Sequence, residues 1–345
     1  MEPVAPPRRV TIIDVAAHAN VSTTAVSKVI RNAYGVSPAM RERVTAAITE
    51  LGYRPRTAAR GMRGQTYTIG MMLPDLRNPF FPDIVDGFVQ QLDGTDYQVL
   101  LGTSFCGHEP ESRVTDALID RGMDGMVLVA PTATRAQLNH TAETVPMVVI
   151  GRHTRSAHHD TVVDDDALGA ALIVDHLADL GHRRIAHIEH RENDATLAVE
   201  MPNSVRAEGY RRAMRARGLT DQIDVVSTSY TEEGGYSAAQ RLLNRSTRPT
   251  AIFAGADIAA MGVLTAITEA GLTVPDDISL AGYDNTRFAA VGPIGLTSVD
   301  QAGRQIGADA AALLLQRIAD RDRASAFVST SPRLVVRRTT APPPA

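Results

Sequence analysis

The pattern of hydrophobic and polar positions in the first fifty residues predicts three short helices. In the first helix, Ile13, Ala16 and Ala17 fall on one side. Thr11 and Asp14 are three residues apart at the start of this helix. Each side chain can therefore accept a hydrogen bond from the backbone N–H of the other residue. These features predict a capped helix over residues 12–18.

A second helix is predicted after a tight turn at Asn20, because asparagine tolerates the left-handed conformation that such turns use. Ser22 can cap this helix, and Val26, Val29 and Ile30 recur at the spacing of an inward face. The outward face carries hydroxyl and cationic side chains, which are Thr23, Thr24, Ser27, Lys28 and Arg31. Two short helices with such a face are typical of a helix-turn-helix DNA reader, although a solvated helical hairpin would show the same pattern.

A third helix is predicted from Pro38, with Ser37 as its cap and Gly52 at its end. Its apolar stripe consists of Met40, Val44, Ala47, Ile48 and Leu51. After Tyr53, Arg54 and Pro55, a basic segment over residues 56–63 follows, and it is too short to be a stable helix alone. Three helices in about fifty residues predict a compact headpiece, which favours the DNA reader.

From Tyr67 onward, short apolar runs alternate with longer amphipathic stretches. The predicted strands are Thr68–Leu73, Tyr97–Leu101, Gly125–Val129, Met147–Ile150, Ile185–Ile188, Ala251–Phe253 and Ile278–Ala281. The predicted helices are Phe80–Leu92, Glu111–Arg121, Ala167–Leu180, Val205–Arg217, Gly234–Leu243 and Ile258–Ala270. This alternation predicts an α/β body of parallel sheets with helices on both faces.

Several stretches resemble the LacI/GalR (lactose-repressor) family of bacterial transcription regulators. They are "VTIIDVAAHANVSTTAVSKVIRN", "VSPAMRERVTAAITELGYRP", "AARGM", "IGMMLPDLRNPFF", "HLADLGHRRIAHI", "RAEGYRRAM", "RPTAIFAGAD" and "VPDDISLAGYDNT". Together they extend from Val10 to about Arg338. The resemblance implies a helix-turn-helix headpiece and hinge, followed by a sensor like a periplasmic binding protein, with two doubly wound parallel-sheet lobes.

The resemblance also implies the domain boundaries. We expect a disordered arm at 1–9, a headpiece at 10–53, a hinge at 54–65, an effector-binding domain at 66–340 and a disordered tail at 341–345. Within the effector-binding domain, an N-terminal lobe takes about 66–162 and 300–328. A C-terminal lobe takes 163–299 and 329–340. No leucine heptad like the tetramerising tail of some relatives is found at the C-terminus, so we expect a homodimer.

The distribution of charge supports a DNA-binding head on a separate sensor. The formal net charge is −4, but residues 1–65 carry +6, which leaves −10 on the remainder. A lone cysteine, Cys106, fits a reducing compartment. Residues 1–9 do not resemble a secretion signal, and no apolar run approaches membrane-spanning length, so we expect a cytoplasmic protein with no membrane partner.

The motifs of common enzyme classes are missing. We find no phosphate loop, no dinucleotide-binding glycine motif after the first strand, no nucleophile elbow and no zinc-protease motif. His153, His158 and His159 are close in sequence, but no cysteine or carboxylate stands at ligand spacing, so a solvated loop is the simpler interpretation. We therefore expect a binding protein without enzymatic activity, cofactor or metal.

A ligand is expected beyond the carboxyl ends of the body's strands. Arg206 can offer a forked donor there, and Asp257 and Asp284 can accept from hydroxyl groups. Three aromatic residues can stack on an apolar ligand face, and these are Phe80, Phe81 and Tyr230. Alternatively, the charged residues pair with one another, and Asp257 only caps the helix after it.

The resemblance implies further roles and two departures. Arg206 and Asp284 match the family's ligand-binding arginine and aspartate, and Tyr230 stands where relatives often place a stacking aromatic. The family often has asparagine before Asp257, where this chain has Ala256. Gly303 replaces a bulkier residue near the cleft, so we expect a roomier pocket.

These observations predict a ligand-responsive transcription regulator, most simply a repressor, that binds double-stranded operator DNA. The second helix would enter the major groove, and Arg41 and Arg43 would contact phosphates. The resemblance adds DNA contacts from the hinge, namely Arg54, Arg56, Arg60 and a wedging Met62. The effector would be sugar-like or nucleobase-like. The alternatives are a sugar-binding transport component, which lacks a basic head, and a nucleotide-dependent α/β enzyme, which needs a phosphate loop.

Overall fold

The structure is a computed structural model that describes residues 10–30, 33–53, 65–104, 108–190 and 200–344. Two compact units are present, one ending at Thr66 and the other beginning at Tyr67. The predicted arm at 1–9 and most of the predicted hinge lie outside the described residues.

The first unit is the predicted three-helix headpiece. Its helices are α1 (Ile12–His18), α2 (Thr23–Ile30) and α3 (Pro38–Glu50). The capping box at the start of α1 and the serine cap of α3 are both confirmed. Asn20 has a φ of 52°, so the left-handed turn between α1 and α2 is confirmed as well. The buried core combines residues of all three helices, and these are Val15, Ala16, Ala19, Val26, Val29, Val44 and Ala47.

The predicted inner face of α1 was partly wrong. Ala16 is buried as expected, but Ile13 is 66% exposed and Ala17 is also exposed. Val15 and Ala19 are buried instead. In a helix of only seven residues, two apolar faces satisfy the same spacing, and the position of α2 and α3 decides between them.

The second unit is an α/β body with two six-stranded sheets. Its strands are β1 (Thr68–Leu73), β2 (Gln98–Thr103), β3 (Gly125–Val129), β4 (Met147–Ile150), β5 (Asp160–Asp164), β6 (Ile185–His190), β7 (Asp224–Thr228), β8 (Ala251–Ala254), β9 (Ser279–Tyr283), β10 (Thr297–Asp300), β11 (Phe327–Thr330) and β12 (Arg333–Val335). The strand orders are β2-β1-β3-β4-β5-β11 and β7-β6-β8-β9-β10-β12. All pairs are parallel except β10 with β12.

Helices cover both sheets. They are α4 (Phe80–Gln91), α5 (His108–Ile119), α6 (Arg135–Thr144), α7 (Asp166–Asp179), α8 (Pro202–Ala216), α9 (Glu232–Leu243), α10 (Asp257–Glu269) and α11 (Gly303–Ala319). Each sheet separates two hydrophobic clusters, so both faces of both sheets are packed. We call the half built on the first sheet the N-lobe and the other half the C-lobe.

The chain passes between the lobes three times, after β5, after β10 and after β11. This topology places the carboxyl ends of both parallel sheets on either side of one cleft, where the fold is expected to bind ligands. Among the described residues, no helix is both long and apolar enough to cross a membrane.

The seven predicted strands are all present; β1, β3 and β4 have the predicted ends, and the ends of the other four differ by at most two residues. Strands β5, β7, β10, β11 and β12 and helices α6 and α11 were not predicted. The expected disorder of the tail is contradicted at Ala341, whose backbone N–H donates to Ser279 Oγ at 3.0 Å. Its carbonyl lies 2.8 Å from Nε2 of the buried His182, so this end is anchored to the C-lobe.

Candidate functional site

Helix α2 presents its polar face to solvent, as predicted. Ser22 Oγ accepts from the backbone N–H of Ala25 at 3.2 Å and so holds the start of the helix. Val26 and Val29 turn into the headpiece core. The opposite face leaves Thr23, Thr24 and Lys28 exposed and Ser27 half-buried. Hydroxyl and ammonium groups on a short exposed helix can reach the edges of bases in a groove.

The other predicted DNA contacts divide between α3 and residues outside the described part of the chain. Arg43 is exposed and Arg41 is half-buried on α3. The remaining predictions lie outside the described residues, and these are Arg31, Arg54, Arg56, Arg60 and Met62.

A cavity of about 750 Å³ lies between the carboxyl ends of the two sheets. Five of the six predicted effector residues line it, namely Phe80, Phe81, Arg206, Tyr230 and Asp284. This volume is within the range of small-molecule sites. Both lobes contribute to the wall, so the ligand would contact both.

Arg206 is fixed within the cavity wall by Asp166. Its guanidinium Nε and Nη2 donate to Asp166 Oδ1 at 3.0 and 2.6 Å, and its Nη1 donates to the carbonyl of Gly255. The guanidinium carbon lies 3.5 Å from the ring centroid of Tyr283, a cation–π contact. Burial opposes ionisation of Asp166, but Arg206 and then His153 hold the pKa of its carboxyl below the usual range. The sequence predicted the arginine and missed the aspartate that orients it.

Asp284 lies at the end of β9 in a strained conformation with φ of 110°. Its carboxylate accepts from Gln301 Nε2 and from Asn78 Nδ2, the latter at 3.5 Å across the cleft. Burial and the neighbouring Asp257 raise the pKa of Asp284 well above its usual value. Among the described residues, this cavity-wall carboxyl forms no ion pair, although the charge of Arg206 partly offsets the rise in its pKa.

Asp257 does not line the cavity, which differs from the prediction. One oxygen accepts from Ser298 Oγ at 2.7 Å, and the other accepts from the backbone N–H and hydroxyl of Thr286 at 2.7 and 3.0 Å. Burial raises the pKa of its carboxyl to about 6. These bonds hold the loop that carries Asp284, so Asp257 is placed to support the site from behind.

The space next to Gly303 is filled, contrary to the expected roomier pocket. A Cβ built on Gly303 would lie 2.9 Å from Phe80 Cε2, so the phenyl ring occupies the place of a larger side chain. Gly303 does not line the cavity. Phe80 and Phe81 form a tilted pair with centroids 6.0 Å apart, and they provide the apolar wall of the N-lobe.

A buried cluster of His153, Asp164 and Asp166 was missed by the sequence reasoning. His153 Nε2 lies 2.7 Å from Asp166, and the hydroxyl of Tyr283 donates to Asp164 at 2.8 Å. The three ligand-type side chains lie within 4.8 Å of one another. However, both oxygens of Asp166 already bind Arg206 and His153, so a metal cation would have to displace a guanidinium. A run of three aspartates after an apolar segment was the available signal.

Glu200 links the lobes at the edge of the cavity. Its two carboxylate oxygens accept from Arg135 and Arg152 of the N-lobe. Its carbonyl accepts from the backbone N–H of His153 at 2.8 Å. Since Glu200 directly precedes α8, this ion-pair group ties the helix that carries Arg206 to the opposite lobe.

Comparisons with known proteins agree with this architecture. Residues 11–56 match the bacterial regulatory proteins of the lacI family, and residues 174–340 match the periplasmic binding protein-like domain. The chain is 33% identical over 339 residues to the HTH-type transcriptional repressor PurR of Erwinia tasmaniensis, covering 97% of this chain and 98% of that protein.

Two solved structures are similar over nearly the whole chain. One is a complex of the transcriptional regulator CelR with cellobiose, with 28% identity, a TM-score of 0.70, and coverage of 96% of this chain and 100% of the other. The second is the lac repressor dimer bound to operator and the anti-inducer ONPF, with 25% identity, a TM-score of 0.79, and coverage of 97% and 100%.

Proposed function

Since the chain belongs to the LacI family of bacterial regulatory proteins, and is a ligand-responsive DNA-binding transcriptional regulator, we propose that it acts as a cytoplasmic homodimeric repressor. It binds an operator in double-stranded DNA and responds to a sugar or sugar derivative in the cleft. It catalyses no reaction of its own.

The observation that carries this proposal is that one chain holds both a helix with an outward polar face and a two-lobed ligand cavity. The exposed side chains of Thr24 and Lys28 on α2 would read bases in the major groove, and Arg41 would contact the backbone. A transport component needs only the cavity. The headpiece therefore favours a regulator over that alternative.

The cavity supplies the means of response. Arg206 and Asp284 come from the C-lobe, and Phe80 and Phe81 come from the N-lobe. A ligand that contacts both lobes stabilises one angle between them, because it binds the two arrangements with different affinity. The three crossings between the lobes are the places where that angle can change.

The proposed homodimer is supported by an apolar surface on the N-lobe. Strand β2 is an edge strand, and its Leu100 and Leu101 are 40% and 44% exposed. Val89 on α4 of the same lobe is 45% exposed. Exposed apolar side chains along an unpaired edge favour association with a second copy.

A gel-shift assay with genomic fragments tests DNA binding. We expect a retarded fragment whose affinity falls steeply with salt, with a log–log slope of about −5 or steeper for a dimer. Lys28→Ala should change which operator variants are preferred, and Arg41→Ala should weaken all of them alike. A nearly flat salt dependence, or no retarded fragment, would contradict the proposal.

A further inference from the structure

The described residues of the cavity wall include more carboxyl groups than arginines. Two arginines line the described wall, Arg77 and Arg206. Both already hold a carboxylate, since Arg77 pairs with Asp75 at 2.9 Å and Arg206 pairs with Asp166 at 2.6 Å. The carboxyl groups that line the same wall are Asp75, Glu111, Asp164, Glu232, Glu233 and Asp284. The described wall therefore holds more acidic groups than cations to balance them.

Three of these acidic groups, Glu111, Asp164 and Asp284, are buried and have no ion pair among the described residues. Glu111 is 5% exposed and accepts from the backbone N–H groups of Thr132 and Ala133. Asp164 is 4% exposed and accepts from the hydroxyl of Tyr283. Asp284 is 6% exposed and accepts from the amides of Gln301 and Asn78. All of these donors are neutral. A buried carboxyl without a cation is stable when it keeps a proton or when a ligand brings a positive charge.

The aromatic side chains of the cavity also favour a cationic ligand over an anionic one. Phe80, Phe81 and Tyr230 line the same cavity as these carboxyl groups. The face of an aromatic ring carries partial negative charge, so it attracts cations and does not solvate anions. An anionic group inside the cavity would meet neither a free cationic side chain of the described wall nor a favourable ring face.

We propose that this cavity selects its effector by charge, admitting uncharged and cationic polar molecules and excluding phosphate esters and carboxylates. The inference rests on the proposed function only in taking this cavity as the effector site. Selection arises because a bound anion loses its hydration and finds, among the described residues of the wall, only arginines that already hold a carboxylate. A positive charge replaces the proton that a wall carboxyl such as Asp164 would otherwise keep.

Three matched probes test the charge order with the full chain. N-methylglucamine, glucitol and gluconate share an open-chain polyol skeleton and carry +1, 0 and −1. Titration calorimetry at constant ionic strength and neutral pH should give the tightest binding for N-methylglucamine and the weakest for gluconate. We expect about tenfold in Kd between the cation and the anion, or more. Equal affinities, the reverse order, or no binding by any probe would overturn the proposal.

Two variants locate the source of the selectivity. Asp164→Asn keeps the shape of the side chain and removes a wall carboxyl. The spread of affinities, which is the ratio of the Kd values for gluconate and N-methylglucamine, should therefore narrow. Asp276→Asn removes an exposed carboxyl outside the cavity wall and should leave the spread unchanged. Equal narrowing in both variants would show that the selectivity reflects the overall charge of the protein and not this site.

Operator binding is measured separately by gel shift on the same preparations. Retained operator binding without a charge order would refute this inference and leave the proposed function intact. A clear charge order without operator binding would support the charge-selective cavity and refute the proposed regulator. The two failures are therefore distinguishable.

Discussion

Strand β5 carries a buried aspartate at each end, and their surroundings are opposite. Asp160, at the amino end, pairs with Arg317 at 2.7 Å and Arg323 at 2.9 Å. Burial opposes its ionisation, but Arg317 and the backbone N–H of Ala326 hold the pKa of Asp160 below the usual range. Asp164, at the carboxyl end, accepts from the hydroxyl of Tyr283 and has no ion pair among the described residues. Burial and the neighbouring Asp166 raise its pKa well above the usual value, and the nearby Arg206 offsets this only in part.

The difference teaches where this fold tolerates unbalanced charge. Away from the cavity, a buried carboxylate is neutralised by arginines of the same lobe, which suits a purely structural role. On the cavity wall, Asp164 and Asp284 form no ion pair with any described residue, although both are also buried. Such an imbalance weakens the folded state, so its position at the ligand-binding edge is best explained by binding.

The largest effect is expected from removing the structural cation. Arg317→Ala leaves Asp160 buried with only Arg323, whose side chain is 21% exposed. We expect the free energy of unfolding to fall by about 3 kcal/mol or more, measured by urea denaturation. The control is Arg304→Ala, which breaks an exposed pair with Asp86 and should cost about 1 kcal/mol or less. Similar losses in both variants would contradict the structural role.

At the cavity, we expect a substitution that weakens ligand binding without lowering the stability of the fold. Asp284→Asn removes a carboxyl that has no ion pair among the described residues, so the free energy of unfolding at neutral pH should not decrease. Glucitol binding should weaken about tenfold, because a hydrogen bond from a ligand hydroxyl to a carboxylate is lost or weakened. Calorimetry and urea denaturation on one preparation measure both quantities. A stability loss like that of Arg317→Ala would show that the two classes of carboxyl do not differ.

Much of this architecture could be predicted because it depends on local pattern. The caps at Thr11 and Ser37 and the turn at Asn20 follow from side chains within three residues of one another. Asp284 directly follows β9, and Arg206 lies in α8, the first described helix after β6. Both line the cavity beyond the carboxyl ends of the strands, where the sequence predicted a ligand site. Resemblance added the two-lobed arrangement that periodicity alone did not give.

The remainder depends on contacts that are distant in sequence. Strand β5 begins and ends with aspartates, so its apolar run is short and was not recognised, and Asp164 and Asp166 were missed with it. The support of Asp257 by Thr286 and Ser298 joins residues 29 and 41 positions apart. A spacing rule for helices or strands contains no information at those separations.

The titration of Asp257 gives a smaller, pH-dependent test of the same difference. Its folded pKa of about 6 lies above the ordinary value of 3.8, so the folded state binds a proton more tightly than the unfolded chain. The protonated carboxyl therefore contributes fully to the free energy of unfolding below the unfolded pKa. This contribution is lost as the pH rises through the folded pKa. Relative to Asp257→Asn, the stability of the protein that retains Asp257 should fall by up to about 1.4 kcal/mol per pH unit between these values.

Denaturant unfolding of both proteins at several pH values between 4.5 and 7 measures this difference. The slope should disappear above the folded pKa, where the carboxyl is ionised in both states. The contributions of groups that do not interact with Asp257 cancel in the comparison. Asp284, whose pKa Asp257 raises, is kept out of it by making both proteins in the Asp284→Asn background. A difference that rises with pH would mean that Asp257 is stabilised as the carboxylate, as Asp160 is.

The smallest effect is expected at Glu200, where paired and exposed charges meet at the edge of the cavity. Its two arginine partners differ, since the side chain of Arg152 is 2% exposed and that of Arg135 is 65% exposed. Arg135→Ala should lower the free energy of unfolding by about 1 kcal/mol or less, and added salt should reduce the difference further, because solvent already screens that pair. Arg152 and the backbone bond from His153 still hold Glu200, so glucitol affinity should stay close to that of the parent. Urea denaturation at low and high salt, with calorimetry on the same samples, measures both. A large decrease in the free energy of unfolding that does not depend on salt would show that Arg135, like Arg317, is a structural cation. Neutralised carboxylates would then extend closer to the cavity than we infer.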